Sequence, residues 1–334
     1  MDINNEPRDC KFHYTEKKSE KYDLGNDLMF SFIYSFDFYL KTGDYDLTAV
    51  ATTTIRVETK TNVRKTIDEW LELIEQTFSM YFAFLIGHYM CPITIKTTVF
   101  CESTPYVFKI YYRYFNMKNK IDYANRNCLN GLMPYLPQYI SQFHLFKKQY
   151  PQAAINYFTL YKYEAILEFR YLTVMYSIET LSRDALKDHF YVDYDCFKEE
   201  YQKPLIRFIN SELQFNNKGL KQKIIDGIRF ANERSLKTTL QKMIEVNLDL
   251  LSQVTSFCPS NDSKNLKDIR NWLTHYTKES MNLTENHNLL ELYFKARTIF
   301  EVTLFKKINM SDNDIIRILR RKYLQYFERI NVKK

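Results

Sequence analysis

The chain has 334 residues, of which 26% are charged and 45% apolar, and carries a formal net charge of +7. This is a globular composition, long enough for one large domain or two ordinary ones. Only 6 Gly and 8 Pro stand against 27 Tyr and 25 Phe, which argues against an all-β chain of tight turns and against repeat arrays, and puts many aromatic rings in the core. The mild basic excess is compatible with a polyanionic partner without requiring one.

The polar, lysine-rich opening through Lys17, Lys18 and Lys21 reads as a frayed tail, with no leader-like charged-then-apolar pattern. Leu28 to Leu40 alternates through Phe30, Phe32, Tyr34, Phe36 and Phe38, which predicts a strand. Asp46 to Thr59 predicts a second, joined to it by a hairpin at Lys41–Asp44. Thr66-x-x-Glu69 is a capping box and opens a helix to about Gly87. Gln76 to Ile95 has no charged residue and is long enough for a membrane span. Its Gln, Thr, Ser, Gly, His and Pro residues, and the stripe continued upstream by Ile67, Trp70, Leu71 and Ile74, favour a helix running into a strand in a soluble protein. Ile93–Cys101 and Tyr106–Tyr114 read as two more strands. The polar stretch Lys118–Asn130 marks a boundary between a mixed N-terminal domain, 1–130, and an all-α domain, 131–334.

Beyond it the spacing predicts one long helix from Gln152 to about Leu186, then a helix broken or kinked at Pro204 and a short one over Gly219–Ala231. Next come a helix capped by Ser235 and a short helix capped by Asp262 or Ser263 with Leu266, Ile269 and Leu273 on one face. A long helix from Thr284 to Ile308 is followed by a last one boxed by Ser311-x-x-Asp314 and reaching Ile330. The fold class is therefore α+β: a mixed domain followed by a helical bundle.

Glycine-rich phosphate loops, nucleophile elbows and paired metal-ligand motifs are all missing, and no two of the six cysteines lie within four residues of each other. No metal or cofactor is expected, and the thiols read as reduced, in a cytoplasmic protein. What remains is arginine with histidine. Such pairs recur three times, as Arg8…His13, Arg183…His189 and Arg270…His275, where roughly one would arise by chance, so spacing alone decides nothing. Only Arg270-Asn-Trp-Leu-Thr-His275 lies on a capped amphipathic helix and has an Asn directly after the Arg. Five residues place the two side chains roughly 140° apart, flanking one exposed edge. A guanidinium can hold the charge that builds on a phosphorane and an imidazole can move protons, the pair that RNA phosphodiester cleavage needs. An exposed Arg beside a His packed on Trp272 accounts for the same residues.

Lys267-Asp-Ile-Arg-Asn-Trp-Leu-Thr-His-Tyr276 resembles the Arg-polar-x-x-x-His signature of the HEPN superfamily, in its Apea-like form. Tyr171–Leu181 is similar to that family's early helix with its acidic residue, here Glu179, and Ser235–Val246 to the helix two before the motif. Thr66–Lys96 resembles part of the accompanying N-terminal domain, which looks abbreviated at its start. The resemblance implies a metal-independent endoribonuclease, active as a homodimer, used in anti-phage abortive infection and released by a phage-derived or host trigger. Arg270 would stabilise the phosphate, His275 would act as acid or base, and Asn271 would orient one of them. Glu179 also fits a solvated acid pairing with Arg183 four residues on.

Between Ile315 and Lys334 seven basic residues face one acid. Arg317, Arg320, Arg321 and Lys322, interleaved with Tyr323, fit either an RNA-facing stripe or a solvated helix face. A non-catalytic HEPN-like module that binds RNA, nucleotide or another protein is the alternative to the enzyme.

Overall fold

The computed structural model describes residues 10–18, 20–25, 28–40, 47–59, 66–87, 89, 94–101, 104–111, 132, 134–185, 190–275 and 289–324. It is α+β. The strands are β1 (Cys10–Lys18), β2 (Tyr22–Gly25), β3 (Leu28–Leu40) and β4 (Leu47–Thr59) in one antiparallel sheet, with β5 (Thr94–Cys101) and β6 (Thr104–Tyr111) paired separately. Strand β3 is central. Along one edge it pairs with β4 over its whole length, from Leu28↔Thr59 to Leu40↔Leu47. Along the other it takes β2 near Leu28–Phe30 and β1 from Ile33 to Leu40. The lysine-rich opening is thus a strand from Cys10 and not a frayed tail. Charged residues suit a sheet edge, which hides the alternation that would have announced it. The connection at 41–44, the boundary at 118–130 and Pro92 lie outside the described residues.

The helix predicted from Thr66 forms as α1 (Ile67–Leu73), a π-helical turn Ile74–Ser79 and α2 (Met80–Ile86). Both bonds of the box are present, Glu69 N to Thr66 Oγ1 at 3.2 Å and Thr66 N to Glu69 Oε2 at 2.7 Å. Gly87 ends α2 with φ +85°, a left-handed conformation that a side chain would strain. Among the described residues no helix is long and apolar enough to cross a membrane.

The bundle comprises α3 (Leu136–Gln149), α4 (Pro151–Lys162), α5 (Leu167–Ala185), α6 (Lys203–Ser211), α7 (Lys218–Arg229), α8 (Leu236–Val246), α9 (Pro259–His275), α10 (Leu289–Lys307) and α11 (Asp312–Leu319). The single helix expected over 152–186 is two. Tyr163 is extended, and the chain doubles back so that α4 and α5 bury their apolar faces against each other. Ile166 and Phe169, expected in the core stripe, are exposed; neither Gly nor Pro signals the break. Pro204 does not break its helix either: a π-helical turn, Phe197–Gln202, widens the backbone just before it. Helix α9 starts at Pro259, three or four residues before its expected cap at Asp262 or Ser263. Asp262 lies inside it, buried, reaching back to the Cys258 N–H at 2.7 Å. Ser235 and Ser311 cap α8 and α11 as expected.

One apolar core runs from Leu24, Leu28 and Phe30 through Phe78, Tyr81 and Phe84 into the bundle at Phe143, Tyr157, Tyr171 and Phe300. A charged knot lies within it. Glu301, 1% exposed, accepts from Tyr157 at 2.6 Å, from Tyr161 at 2.8 Å and from Lys322 Nζ at 2.6 Å. Arg297 lies 3.5 Å away, among the rings of Tyr161, Tyr293 and Tyr323. Burial pushes the Glu301 carboxyl up, but Lys322 and Arg297 outweigh it and hold it below its ordinary range. Lys322 also donates to the carbonyl of Phe84 at 2.7 Å, tying the end of the chain to α2.

His144 on α3 is a second anchor, its Nδ1 3.1 Å from the Thr77 hydroxyl in the π-helical turn. Burial, with Lys148 and Lys147 nearby, lowers its pKa to about 4, so the folded ring is neutral.

Two outcomes follow. Removing the knot's only acid, Glu301→Ala, leaves two buried cations and costs about 3–5 kcal/mol in urea unfolding. His144 favours the fold fully above pH 6.5; as pH falls from 6.5 toward 4 the unfolded ring takes up a proton that the folded ring refuses. Between pH 7.5 and 5 stability drops roughly 2 kcal/mol more in the parent than in His144→Gln, measured by urea unfolding at each pH.

Candidate functional site

Helix α9 presents Leu266, Ile269 and Leu273 to the core and turns its polar side outward, as the sequence pattern requires. Three contacts set its position. At its start Asp262 receives Lys295 of α10 at 2.8 Å, both nearly sealed from water. In its middle the Tyr171 hydroxyl of α5 donates to the Leu266 carbonyl at 2.7 Å. That carbonyl also begins the helical turn that ends at the Arg270 N–H, so the tyrosine secures the turn carrying Arg270.

The third contact involves Arg270 itself. Its Nε donates to Glu179 Oε1 at 2.8 Å and its Nη2 to Glu179 Oε2 at 3.1 Å, a two-pronged pair between α9 and α5 across 91 residues of sequence. Glu179 therefore pairs with Arg270, a partner outside its own helix. The side chains retain 27% and 16% exposure, so the pair lies at the rim of the bundle. Nη1 donates to the Asn271 side-chain oxygen at 3.3 Å. Three of the five guanidinium N–H groups are thus directed by neighbours, which fixes the plane of the group.

His275 is the last residue of α9 and is exposed, about 7.5 Å further along the axis than Arg270. It is not packed away in the core, and Trp272 alone is half-buried. Arg270, Asn271 and His275 therefore lie on the last turn and a half of one helix, with Glu179 against the arginine. Arg270 offers an anion a guanidinium of fixed plane, and His275 offers water an exposed imidazole further along the helix.

The basic run behaves differently. Arg317 lies 3.5 Å from Asp314 and is half-exposed. Arg320 is exposed and donates to Gln253 at 2.7 Å, and Arg321 is partly buried. Lys322 is inside the molecule, bound to Glu301 and Phe84, and cannot be part of an RNA-facing stripe. Residues 325–334, with the remaining basic residues of that run, lie outside the described residues. Among the described residues no three His, Cys, Asp or Glu side chains gather as a metal site would require.

Sequence reasoning missed Tyr171 and Lys295. Both sit in apolar stripes, and nothing local marks them as supports for a helix roughly 30 to 95 residues away. In the sequence Asp262 reads as a helix cap, and only the structure shows it three residues inside α9.

Residues 172–314 match the family described as Apea-like HEPN, a span that runs from α5 into α11 and includes Glu179, Arg270, Asn271 and His275. No curated protein and no solved structure matches the chain. This segment, whose helices carry Arg270 and His275, is similar to the Apea-like HEPN family, and that family implies a nuclease or RNA-related role in defence.

Proposed function

We propose that the protein is an endoribonuclease that cuts RNA, tRNA or mRNA, without a metal ion, and serves in anti-phage abortive infection. The observation that carries this reading is the clamp on Arg270 beside the exposed His275. A guanidinium whose plane is set by Glu179 and Asn271 directs its remaining N–H groups at a phosphate at little reorganisation cost. The RNA 2′-hydroxyl is an internal nucleophile. Imidazole takes its proton, the 2′-oxygen attacks phosphorus, and the 5′-oxygen leaves as it receives a proton, giving a 2′,3′-cyclic phosphate and a 5′-hydroxyl end. One histidine cannot be base and acid in the same step. Two copies meeting across a two-fold axis would supply the second, so a homodimer with a composite cleft is the working form. Such an enzyme needs restraint, and the N-terminal part is the candidate receiver of a phage-derived or host signal.

Arg270→Ala and His275→Ala are each expected to lower cleavage of labelled tRNA or mRNA in EDTA by at least 100-fold, with stability within about 1 kcal/mol of the parent and oligomeric state unchanged. Parent-like cleavage by both variants would overturn the assignment.

The same clamp favours one competing reading. An arginine this committed to a carboxylate also suits a module that binds RNA without cutting it. Glu179→Gln separates the two. Because the pair is partly solvated, it contributes only about 1 kcal/mol or less to stability. For a nuclease, the loosened guanidinium lowers cleavage about tenfold while the fold persists. For a binding module, no fragments appear with either chain.

A further inference from the structure

The segment 190–233 lies between α5 and α8 in the chain and carries α6 and α7. It closes at its base through the bridge Phe190↔Glu233 and through Asn232. Asn232 is 4% exposed and spends its amide on one residue: Val192 N donates to its Oδ1 at 2.9 Å, and its Nδ2 donates to the Val192 carbonyl at 2.7 Å. Asp193 then caps the next turn by accepting from the N–H groups of Asp195 and Cys196. These contacts hold open a cleft of about 440 Å³ above Asn232. Its apolar walls are Phe190, Tyr194, Phe197 and Phe230, with Gln202, Arg229 and Glu233 around them.

The aromatic walls are unusual in their exposure. Tyr194 is 52% exposed and Phe230 63%. Phe190 stands 5.8 Å from Tyr194, and Phe197 closes the floor. The cleft is open and mixed in character, with several rings and a few polar groups along its walls. The chemistry narrows the ligand. Arg229 disfavours an organic cation, although rings alone would suit one. Arg229, the one cation in the lining, already pairs with Asp226 at 3.1 Å, so the cleft has no uncommitted cation to grip a free phosphate. A flat, uncharged heteroaromatic ring fits: its faces meet aromatic side chains, and its edge meets the amide of Gln202, the guanidinium of Arg229 and the carboxylate of Glu233.

We infer that this cleft binds an unpaired nucleobase of single-stranded RNA and so selects where the RNA is held. The choice of RNA rests on the ribonuclease reading; the cleft and its preference for a flat ring do not.

The test uses the full chain carrying His275→Ala, so that RNA is bound and not consumed, with labelled single-stranded hexanucleotides and nucleoside monophosphates as probes. Tyr194→Leu and Phe230→Leu remove a stacking face at exposed positions, where folding is not at stake, and Gln202→Ala removes an edge contact. Each leucine variant is expected to weaken hexanucleotide binding about 5- to 100-fold, with a smaller loss for Gln202→Ala. Replacing bases by abasic units should weaken the parent and leave the leucine variants nearly unmoved. Affinity equal in all chains, affinity that depends only on length and salt, or tighter binding of choline than of nucleotides at this cleft would each overturn the inference. The ribonuclease reading is decided separately, by fragments from the active parent. Base binding lost in the leucine variants of a chain that never cuts RNA would uphold the cleft and remove the nuclease.

Discussion

A carboxylate cannot leave water alone, and the packing of this protein depends on how one carboxylate is accompanied. Glu301 lies at the centre of the bundle with two tyrosine hydroxyls and an ammonium within 2.8 Å and a guanidinium at 3.5 Å. Taking such a charge inside costs several kcal/mol, and only complete compensation returns it. The compensating groups come from α4, from α10 itself and from the end of the chain, and Lys322 adds a bond to α2. Elements far apart in sequence are therefore held in one relative position by a single set of charges, surrounded by a stack of rings in which Tyr157 and Phe300 lie 4.2 Å apart.

The candidate site is built on the periphery of this frame by weaker contacts of the same kind. Helix α9 is pinned at its buried start by Asp262 and Lys295, secured in its middle by Tyr171, and clamped at its rim by Glu179. The order is physically sensible. The buried contacts carry the stability, and the partly solvated pair at the rim fixes direction at small energetic weight. Chemistry sited there can change without endangering the fold.

Contacts that act within one turn were legible in the sequence. Thr66 with Glu69, Ser235 with Thr238 and Ser311 with Asp314 all form as their spacing demands. The apolar face of α9 and the outward placement of Arg270, Asn271 and His275 were legible for the same reason. What escaped was set by distant partners. The reversal at Tyr163–Ile166 has no Gly or Pro and exists because two apolar faces must meet. The pairing of Glu179 with Arg270 spans 91 residues and lost, on paper, to an arginine four residues away. Lys322 sits among arginines in a basic helix, and no property of its neighbours tells that it points inward. Strand β1 was hidden by its lysines.

Lys322 has a further consequence, in time. The carbonyl of Phe84 finds its ammonium 238 residues later in the chain. At about 20 residues per second of synthesis, that contact waits on the order of ten seconds after Phe84 is made. Glu301, made four residues after Arg297, lacks its second cation until then. Residue 322 must therefore be made before the knot is complete, and a product arrested short of it lacks the ammonium that joins Glu301 to α2.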